Sequence, residues 1–129
     1  MACLTVGADY WKTVEAQGIR PLKMCDGPFG VRHEDPTSAS PDGFNQHDSY
    51  PATCLPCGSA IGASWNEKLV EQAAAAVARE AKALGVDILL GPAMNHKRMP
   101  LGGRNFEYLS EDPLLTGKLA AAYVRGVQS

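Results

Sequence analysis

The sequence lacks several features that would place it in a specialised class of protein. No apolar run approaches the roughly 20 residues that a membrane-spanning helix needs. Lysine and arginine are not clustered, and the formal net charge of the 129 residues is only -2, so there is no electrostatic footprint for nucleic acid. The first residues also lack a basic stretch followed by an apolar one, the pattern of a secretory signal peptide. We therefore expect a cytoplasmic protein that binds neither nucleic acid nor membrane.

The sequence also lacks the dense cysteines of a disulfide-stapled domain. The four cysteines are Cys3, Cys25, Cys54 and Cys57, and the chain is too long and too rich in alanine for a disulfide-stapled mini-domain. Cys54 and Cys57 have the C-x-x-C spacing of zinc knuckles and redox motifs, but two further zinc ligands at knuckle spacing are missing. The segment that follows, Gly58–Gly62, is a poor helix start for a thioredoxin-like pair. We expect buried, unreactive thiols and no metal or other cofactor; a thiol redox protein is the alternative.

The regular patterns that are present predict an α/β protein. A short apolar run that ends at Cys25, before the turn signal Asp26-Gly27-Pro28, predicts a strand. The run Ile88–Leu90 predicts a second, parallel strand that is buried on both faces. Between them, Ser64 and Glu67 have the spacing of a capping box, and Gly85 suits the left-handed end of a helix. The apolar positions of this helix recur at helical spacing: Val70, Ala73, Ala74, Val77, Ala81 and Leu84.

A second helix is predicted to begin near Asp112, with Pro113 at its first position. Its apolar face would consist of Leu115, Leu119, Ala122, Tyr123 and Val127. The alternation of strands and helices favours parallel strands in one sheet. Residues 1–20 are weakly patterned, and we expect a loop through Gly7–Trp11. Residues 33–50 predict a long loop, either beside a functional site or as a mobile insertion.

Two segments rich in glycine and proline, residues 26–32 and 95–107, each follow a predicted strand. Loops that leave the carboxyl ends of parallel strands commonly build the functional site. Asp26 can accept two hydrogen bonds from hydroxyl groups, while Arg32 and Arg104 offer planar sets of donors. The alternative is structural: Asp26 caps its own turn, and the arginines pair with Glu107 or Glu111.

Three stretches carry a resemblance to a known family. They read DGPFGVR, CLPCGSAIGASWN and GPAMNHKRMPLGGRNFEYLSEDP. In this order and spacing they resemble the N-terminal domain of glycoside hydrolase family 3, which includes β-glucosidases. The resemblance runs through nearly the whole chain and is weakest in residues 33–50. It implies one partial domain, residues 1–129, that forms the N-terminal part of an incomplete (β/α)8 TIM-like barrel, because a full barrel takes about 250 residues.

The resemblance also implies roles for individual residues. Asp26 would hold sugar hydroxyls at the non-reducing end, and Arg32 and Arg104 would be further sugar ligands. Glu107 would orient Arg104 without touching substrate, and Arg98 would be a supporting residue. The carbohydrate substrate is then the expected partner, together with the remainder of a parent enzyme or a second copy of the chain.

The catalytic residues of the family are not found in the sequence. The family's nucleophile is an aspartate in a Ser-Asp-Trp-like context, which does not occur here. His96-Lys97 reverses the order of the family's Lys-His pair and lies in a different loop, and the acid/base residue usually comes from a second domain. We therefore assign no catalytic residue and expect a piece of a retaining β-glucosidase. The alternative is a non-catalytic or vestigial carbohydrate-binding polypeptide.

Overall fold

The computed structural model describes residues 7–9, 12–15, 18–35, 37 and 49–129. The elements, in chain order, are β1 (Gly7–Asp9), β2 (Lys12–Thr13), β3 (Met24–Asp26), α1 (Gly58–Gly62), α2 (Glu67–Ala83), β4 (Ile88–Leu90), a short 3₁₀ helix (Asn105–Glu107) and α3 (Pro113–Val127). The mixed α/β character predicted from the sequence is confirmed. Within these residues, none of the helices has both the length and the apolar character needed to cross a membrane.

Strands β3 and β4 form a parallel pair. Met24 lies opposite Ile88, and Asp26 lies opposite Leu90. Helix α2 connects them, which gives a β-α-β unit. The prediction that β4 is buried on both faces is wrong, because Ile88 is 39% and Leu90 45% exposed. Among the described strands β4 pairs only with β3, so its other edge has no neighbour to cover it.

Helix α2 has well-defined ends. The predicted cap Ser64 is wrong: the N-cap is Asn66, whose side chain accepts a hydrogen bond from the Leu69 amide at 3.0 Å. Ser64 instead donates to the Ile61 carbonyl at the end of α1. At the other end Gly85 has the predicted positive φ, +72°.

The chain leaves α2 through a Schellman motif. The Val86 amide donates to the Ala81 carbonyl at 2.9 Å, and the Gly85 amide donates to the Lys82 carbonyl at 3.1 Å. These two bonds satisfy carbonyl groups that the end of the helix would otherwise leave unpaired. They direct the chain from α2 into β4.

The core lies along one face of α2, from one end of the helix to the other. Val70 and Ala74 pack with residues of α3, including Leu119 and Tyr123. A second cluster at the other end of α2 consists of Cys25, Val31, Val77 and Ala81. Helix α3 starts as predicted, with Pro113 at its first turn and the Asp112 carboxylate accepting from the Leu114 amide at 2.9 Å. Helix α2 thus fixes the distance between α3 and the β3–β4 pair.

The N-terminal segment differs from its prediction. Of the predicted loop through Gly7–Trp11, residues 7–9 form strand β1, which pairs antiparallel with β2, and residues 10 and 11 lie outside the described residues. The Thr13 amide donates to the Leu22 carbonyl at 3.0 Å and so joins β2 to the chain before β3. Strands of two or three residues are too short to leave a periodic pattern in the sequence. Cys3 and most of the predicted 33–50 loop lie outside the described residues, although the Tyr50 amide donates to the His33 carbonyl where that loop begins and ends.

An ion pair joins the amino-terminal ends of the two parallel strands. Arg20 donates from Nη1 to Asp87 Oδ2 at 2.7 Å, and the Lys23 amide donates to the same oxygen at 2.9 Å. Hydrogen bonding from Arg20 and Lys23 lowers the pKa of Asp87 from 3.8 to about 2. The carboxylate thereby ties the segment before β3 to the start of β4.

Candidate active site

A pocket of about 590 Å³ opens at the carboxyl ends of β3 and β4. Its walls are formed by residues 26–30, Arg32, residues 90–95, Arg104, Glu107 and Tyr108. Asp26, Arg32 and Arg104 therefore line one pocket, although Arg104 is 78 residues distant from Asp26 in the sequence (104 - 26). The parallel pairing of β3 with β4 brings the two loops together, because both leave the sheet at the same edge.

The first loop is closed by backbone contacts. The Arg32 amide donates to the Asp26 carbonyl at 2.9 Å. This bond holds the backbone of the two residues close together at the base of the loop. Gly30 has a φ of +143°, and a Cβ there would overlap the Thr53 carbonyl oxygen. The Leu55 amide donates to the Phe29 carbonyl at 2.8 Å. The segment that contains Thr53 and Leu55 thus supports the loop from outside the pocket.

Thr53 is in turn attached to α2. Its amide and hydroxyl donate to the two carboxylate oxygens of Glu80, at 3.0 and 2.5 Å. These bonds lower the pKa of Glu80. The first loop is therefore linked through Thr53 to a rigid helix and does not depend on β3 alone.

The carboxylate of Asp26 accepts no hydrogen bond from the described residues. The sequence alternative in which this side chain caps its own turn does not occur, since backbone groups close the loop instead. Asp26 is half-buried at the pocket wall. Its two oxygens can therefore accept hydrogen bonds from a ligand.

Arg104 forms an ion pair with Glu107, in which Nε donates to Oε1. Hydrogen bonding to Glu107 is the main reason that the pKa of Arg104 is raised, and the negative charge of Asp26 raises it further. The side chain of Glu107 is only 14% exposed, whereas that of Arg104 is 76% exposed. The structural alternative of an Arg104–Glu107 pair is thus realised, while the terminal nitrogens of Arg104 remain available as donors.

Arg98 lies outside this arrangement. It is exposed, it does not line the pocket, and its side chain makes no hydrogen bond or ion pair with the described residues. The amide of Arg98 donates to the His96 carbonyl at 3.1 Å, which is a local turn contact. Among the described residues, no hydrogen bond or ion pair connects Arg98 with the other four predicted site residues.

Sequence reasoning missed several side chains of the pocket wall, among them the polar side chains of Asn95 and Tyr108. The signal that could have identified Asn95 is its position in the loop after β4. Tyr108 follows the 3₁₀ helix, whose amide-to-carbonyl bond from Tyr108 to Asn105 is 3.4 Å. Three residues in a 3₁₀ turn carry no periodicity, so the direction of Tyr108 had no signature in the sequence.

The thiols also differ from expectation. Cys54 and Cys57 are exposed, not buried, because residues 51–57 run along the surface. Helix α1 does begin at Gly58, with Cys57 at its N-cap position. Cys25 is buried, and desolvation raises its pKa. Within the described ranges, no three side chains of the metal-ligating types form a cluster.

The β-α-β unit places the chain in the α/β class of proteins. In that class, ligands commonly bind at the carboxyl ends of the strands, which is where the charged pocket lies. A sequence model described as "Glycosyl hydrolase family 3 N terminal domain" matches residues 42–129, more than half of the chain. The chain therefore belongs to glycosyl hydrolase family 3. This finding confirms the family resemblance identified in the sequence.

Individual relatives agree with the family assignment. The chain is 48% identical to thermostable beta-glucosidase B of Acetivibrio thermocellus and 45% identical to exo-alpha-(1->6)-L-arabinopyranosidase of Bifidobacterium longum. Each of these matches covers 99% of this chain and 17% of the relative.

Solved structures match the fold over nearly the same span. A GH3 beta-glucosidase of Bifidobacterium adolescentis has a TM-score of 0.80 at 43% identity, covering 98% of this chain and 17% of that one. The beta-glucosidase of Kluyveromyces marxianus in complex with glucose has a TM-score of 0.84 at 34% identity, covering 98% and 14%. The chain thus spans about a sixth of the length of these proteins.

Proposed function

We propose that this chain is part of a longer retaining β-glucosidase and supplies one side of its sugar-binding site. The observation that supports this proposal is the convergence of Asp26, Arg32 and Arg104 in one pocket at the ends of β3 and β4. Two relatives of similar structure are named beta-glucosidases, one of them in complex with glucose. In this proposal β3 and β4 are neighbouring strands of a (β/α)8 barrel that the rest of the protein completes.

The chemistry of the three side chains suits a pyranose. The carboxylate of Asp26 accepts from two hydroxyl groups, and the guanidinium groups of Arg32 and Arg104 donate to hydroxyl oxygens. The pocket fixes the terminal sugar so that its anomeric carbon faces the remainder of the enzyme. Retaining hydrolysis needs two carboxyl groups about 5–5.5 Å apart, one as nucleophile and one as acid. We place both of them outside this chain.

A second candidate is an exo-arabinopyranosidase, because the relative from Bifidobacterium longum, 45% identical, carries that name. α-L-Arabinopyranose lacks the hydroxymethyl group of glucose and has the opposite configuration at C4. Comparing aryl β-D-glucoside with aryl α-L-arabinopyranoside as substrates of the longer protein distinguishes the two candidates by the ratio of their kcat/KM values.

The test of the proposed function uses Asp26→Asn in the product of the complete reading frame. We expect kcat/KM for an aryl β-glucoside to fall about 10- to 100-fold, since hydrogen bonds to a charged group contribute about 1.5–3 kcal/mol. Glu111→Gln is the matched control, because it makes the same chemical change on an exposed residue outside the pocket. Equal activity of the two variants would contradict the role of Asp26.

The 129-residue chain assayed alone is the second arm of this test. We expect no turnover of the aryl glucoside, because the nucleophile and the acid are absent from it. Hydrolysis by the isolated chain that disappears in Asp26→Asn would show that the catalytic groups lie within these 129 residues, and the proposed division of the site would then be wrong.

A further inference from the structure

Helix α1 packs against residues 104–109, the turn that contains Arg104 and Glu107. A Cβ at Gly58 would overlap the Glu107 carbonyl oxygen, and a Cβ at Gly62 would overlap the Leu109 carbonyl oxygen. The two glycines are four residues apart and so lie on the same face of the helix. The backbone of α1 therefore contacts the backbone of the turn directly, with no side chain between them.

Two polar side chains connect the same helix with the same turn. Lys97 Nζ donates to Ser59 Oγ at 2.7 Å, and Ser59 Oγ donates to the Asn105 carbonyl at 3.2 Å. Lys97 and Ser59 are both half-buried. Their contacts join the loop after β4, helix α1 and the first residue of the 3₁₀ helix.

The direction of this hydrogen-bond chain is fixed by its first member. The ammonium group of Lys97 can only donate, so it occupies a lone pair of Ser59 Oγ. The single hydroxyl proton of Ser59 is then free to point at the Asn105 carbonyl. A charged donor also strengthens the bond that follows it, because polarisation passes along the chain.

Asn105 completes the support with its side chain. Its Nδ2 donates to the Met99 carbonyl at 2.7 Å and to the Pro100 carbonyl at 3.3 Å. Asn105, the residue that follows Arg104, is therefore held from two directions, by Ser59 and by the preceding loop. Arg104 itself is 76% exposed, and among the described residues its side chain makes a hydrogen bond only to Glu107.

We infer that Ser59 and Lys97 are positioning residues for sugar binding: they act through Asn105 to hold Arg104 and Glu107 at the pocket wall. Neither side chain lines the pocket. This inference rests on the proposed function, in which Arg104 binds the sugar. It predicts that the effect of Lys97 on activity depends on the presence of Arg104.

A double-mutant cycle in the longer protein tests the inference. We expect Lys97→Met to lower kcat/KM for the aryl glucoside about 5- to 30-fold when Arg104 is present, and less than about twofold in an Arg104→Ala background. Ser59→Ala should behave in the same way, while Ser59→Thr, which keeps the hydroxyl, should recover most of the activity. Lys118→Met is the matched control, since Lys118 is exposed on α3 and makes no described polar contact.

The results separate the two proposals. Equal losses from Lys97→Met in both backgrounds would indicate a merely structural role and overturn the inference. A longer protein without glycosidase activity would overturn the proposed function instead. In that case, hydrogen exchange of the Arg104 Nε–H in the 129-residue chain still decides the positioning role. Exchange should be about tenfold faster in Lys97→Met than in Lys118→Met, and equal rates would contradict it.

Discussion

Arg104 has two kinds of partner, an internal carboxylate and, in our proposal, a sugar. Glu107 accepts a hydrogen bond from Nε, and Arg104 also lines the pocket. Because the ion pair is largely exposed on the Arg104 side, it contributes little to folding stability. Its value lies in fixing the direction of the guanidinium plane.

Glu107→Gln tests whether the carboxylate of Glu107 orients Arg104 for sugar binding. The variant keeps the shape of the side chain but removes its charge, so Arg104 loses its fixed orientation. We expect KM of the longer protein for an aryl glucoside to rise about 3- to 10-fold, as for the loss of about 1 kcal/mol, while the thermal midpoint stays the same within error. Steady-state kinetics and thermal unfolding of the same samples check the two expectations. An unchanged KM would mean that Arg104 needs no such partner.

The candidate site residues were found through the family motif, and their spatial relation followed from the predicted parallel strands. The hydrogen bonds behind them were not predictable. Ser59 stands in a segment whose sequence predicts a poor helix start, and its partner Asn105 is 46 residues away. A contact of that range depends on how α1 packs, and no local pattern in the sequence records it.

Gly85 and Gly117 allow the same substitution to be compared at the end of one helix and within another. Gly85 ends α2 at a φ of +72°, and a Cβ there would meet only the end of the Lys23 side chain, at an ordinary contact distance of 3.9 Å, so the obstacle to a side chain is the backbone conformation. Gly117 lies in the middle of α3, with open space around it and without a positive φ. The same substitution should therefore have opposite effects at the two positions.

We expect Gly85→Ala to lower the free energy of unfolding by about 1 kcal/mol, the cost of a left-handed conformation for an L-residue. Gly117→Ala should raise it by about 0.5–1 kcal/mol, because alanine loses less entropy in a helix. Urea denaturation of the chain gives both values from the shift in midpoint. Two changes of the same sign would contradict the role of Gly85 in the Schellman motif.

The two long helices and the apolar strands β3 and β4 were predictable, whereas the short helix α1 was not. Helices α2 and α3 have enough turns for an apolar periodicity, and Asp112-Pro113 signals the start of α3 directly. Helix α1 has five residues and two glycines, so its local propensity is poor. It forms because Gly58 and Gly62 fit against carbonyl groups of a distant turn, and this tertiary packing overrides propensity.

At the level of the whole molecule, acid should weaken the attachment of the N-terminal segment to the sheet. The folded pKa of Asp87, about 2, is below its ordinary value of 3.8, so the charged form favours the folded state. The stabilisation is complete above about pH 4 and is lost as the pH falls towards 2. Neutralisation of Asp87 removes the Arg20 ion pair that joins the chain before β3 to β4.

Denaturation of the wild-type chain and of Asp87→Asn at several pH values measures this contribution. The wild type should be the more stable at pH 7, and the difference should shrink between about pH 4 and pH 2. Glu111→Gln serves as the control, because the carboxylate of Glu111 makes no described hydrogen bond. A difference that does not change over this interval would exclude Asp87 as the source of the acid sensitivity.

The overall architecture was predicted correctly in class but not in its degree of burial. The apolar run Ile88–Leu90 suggested a strand covered on both sides, whereas the strand has one free edge among the described elements. The burial of a strand depends on the elements that pack around it. Its own sequence indicates only whether its side chains are suited to burial. The composition of β4 therefore fits the larger assembly in our proposal better than it fits these 129 residues.

The Schellman turn and the Arg20–Asp87 pair stand at one end of the β3–β4 pair, and the pocket stands at the other. This separation has a consequence for protein engineering. A library confined to the pocket-lining positions 92–95 would sample new ligand preferences while leaving the opposite end of the scaffold untouched. Altered specificity and lost folding should then arise from different sets of mutations, which makes this edge of the sheet a practical starting point for directed evolution.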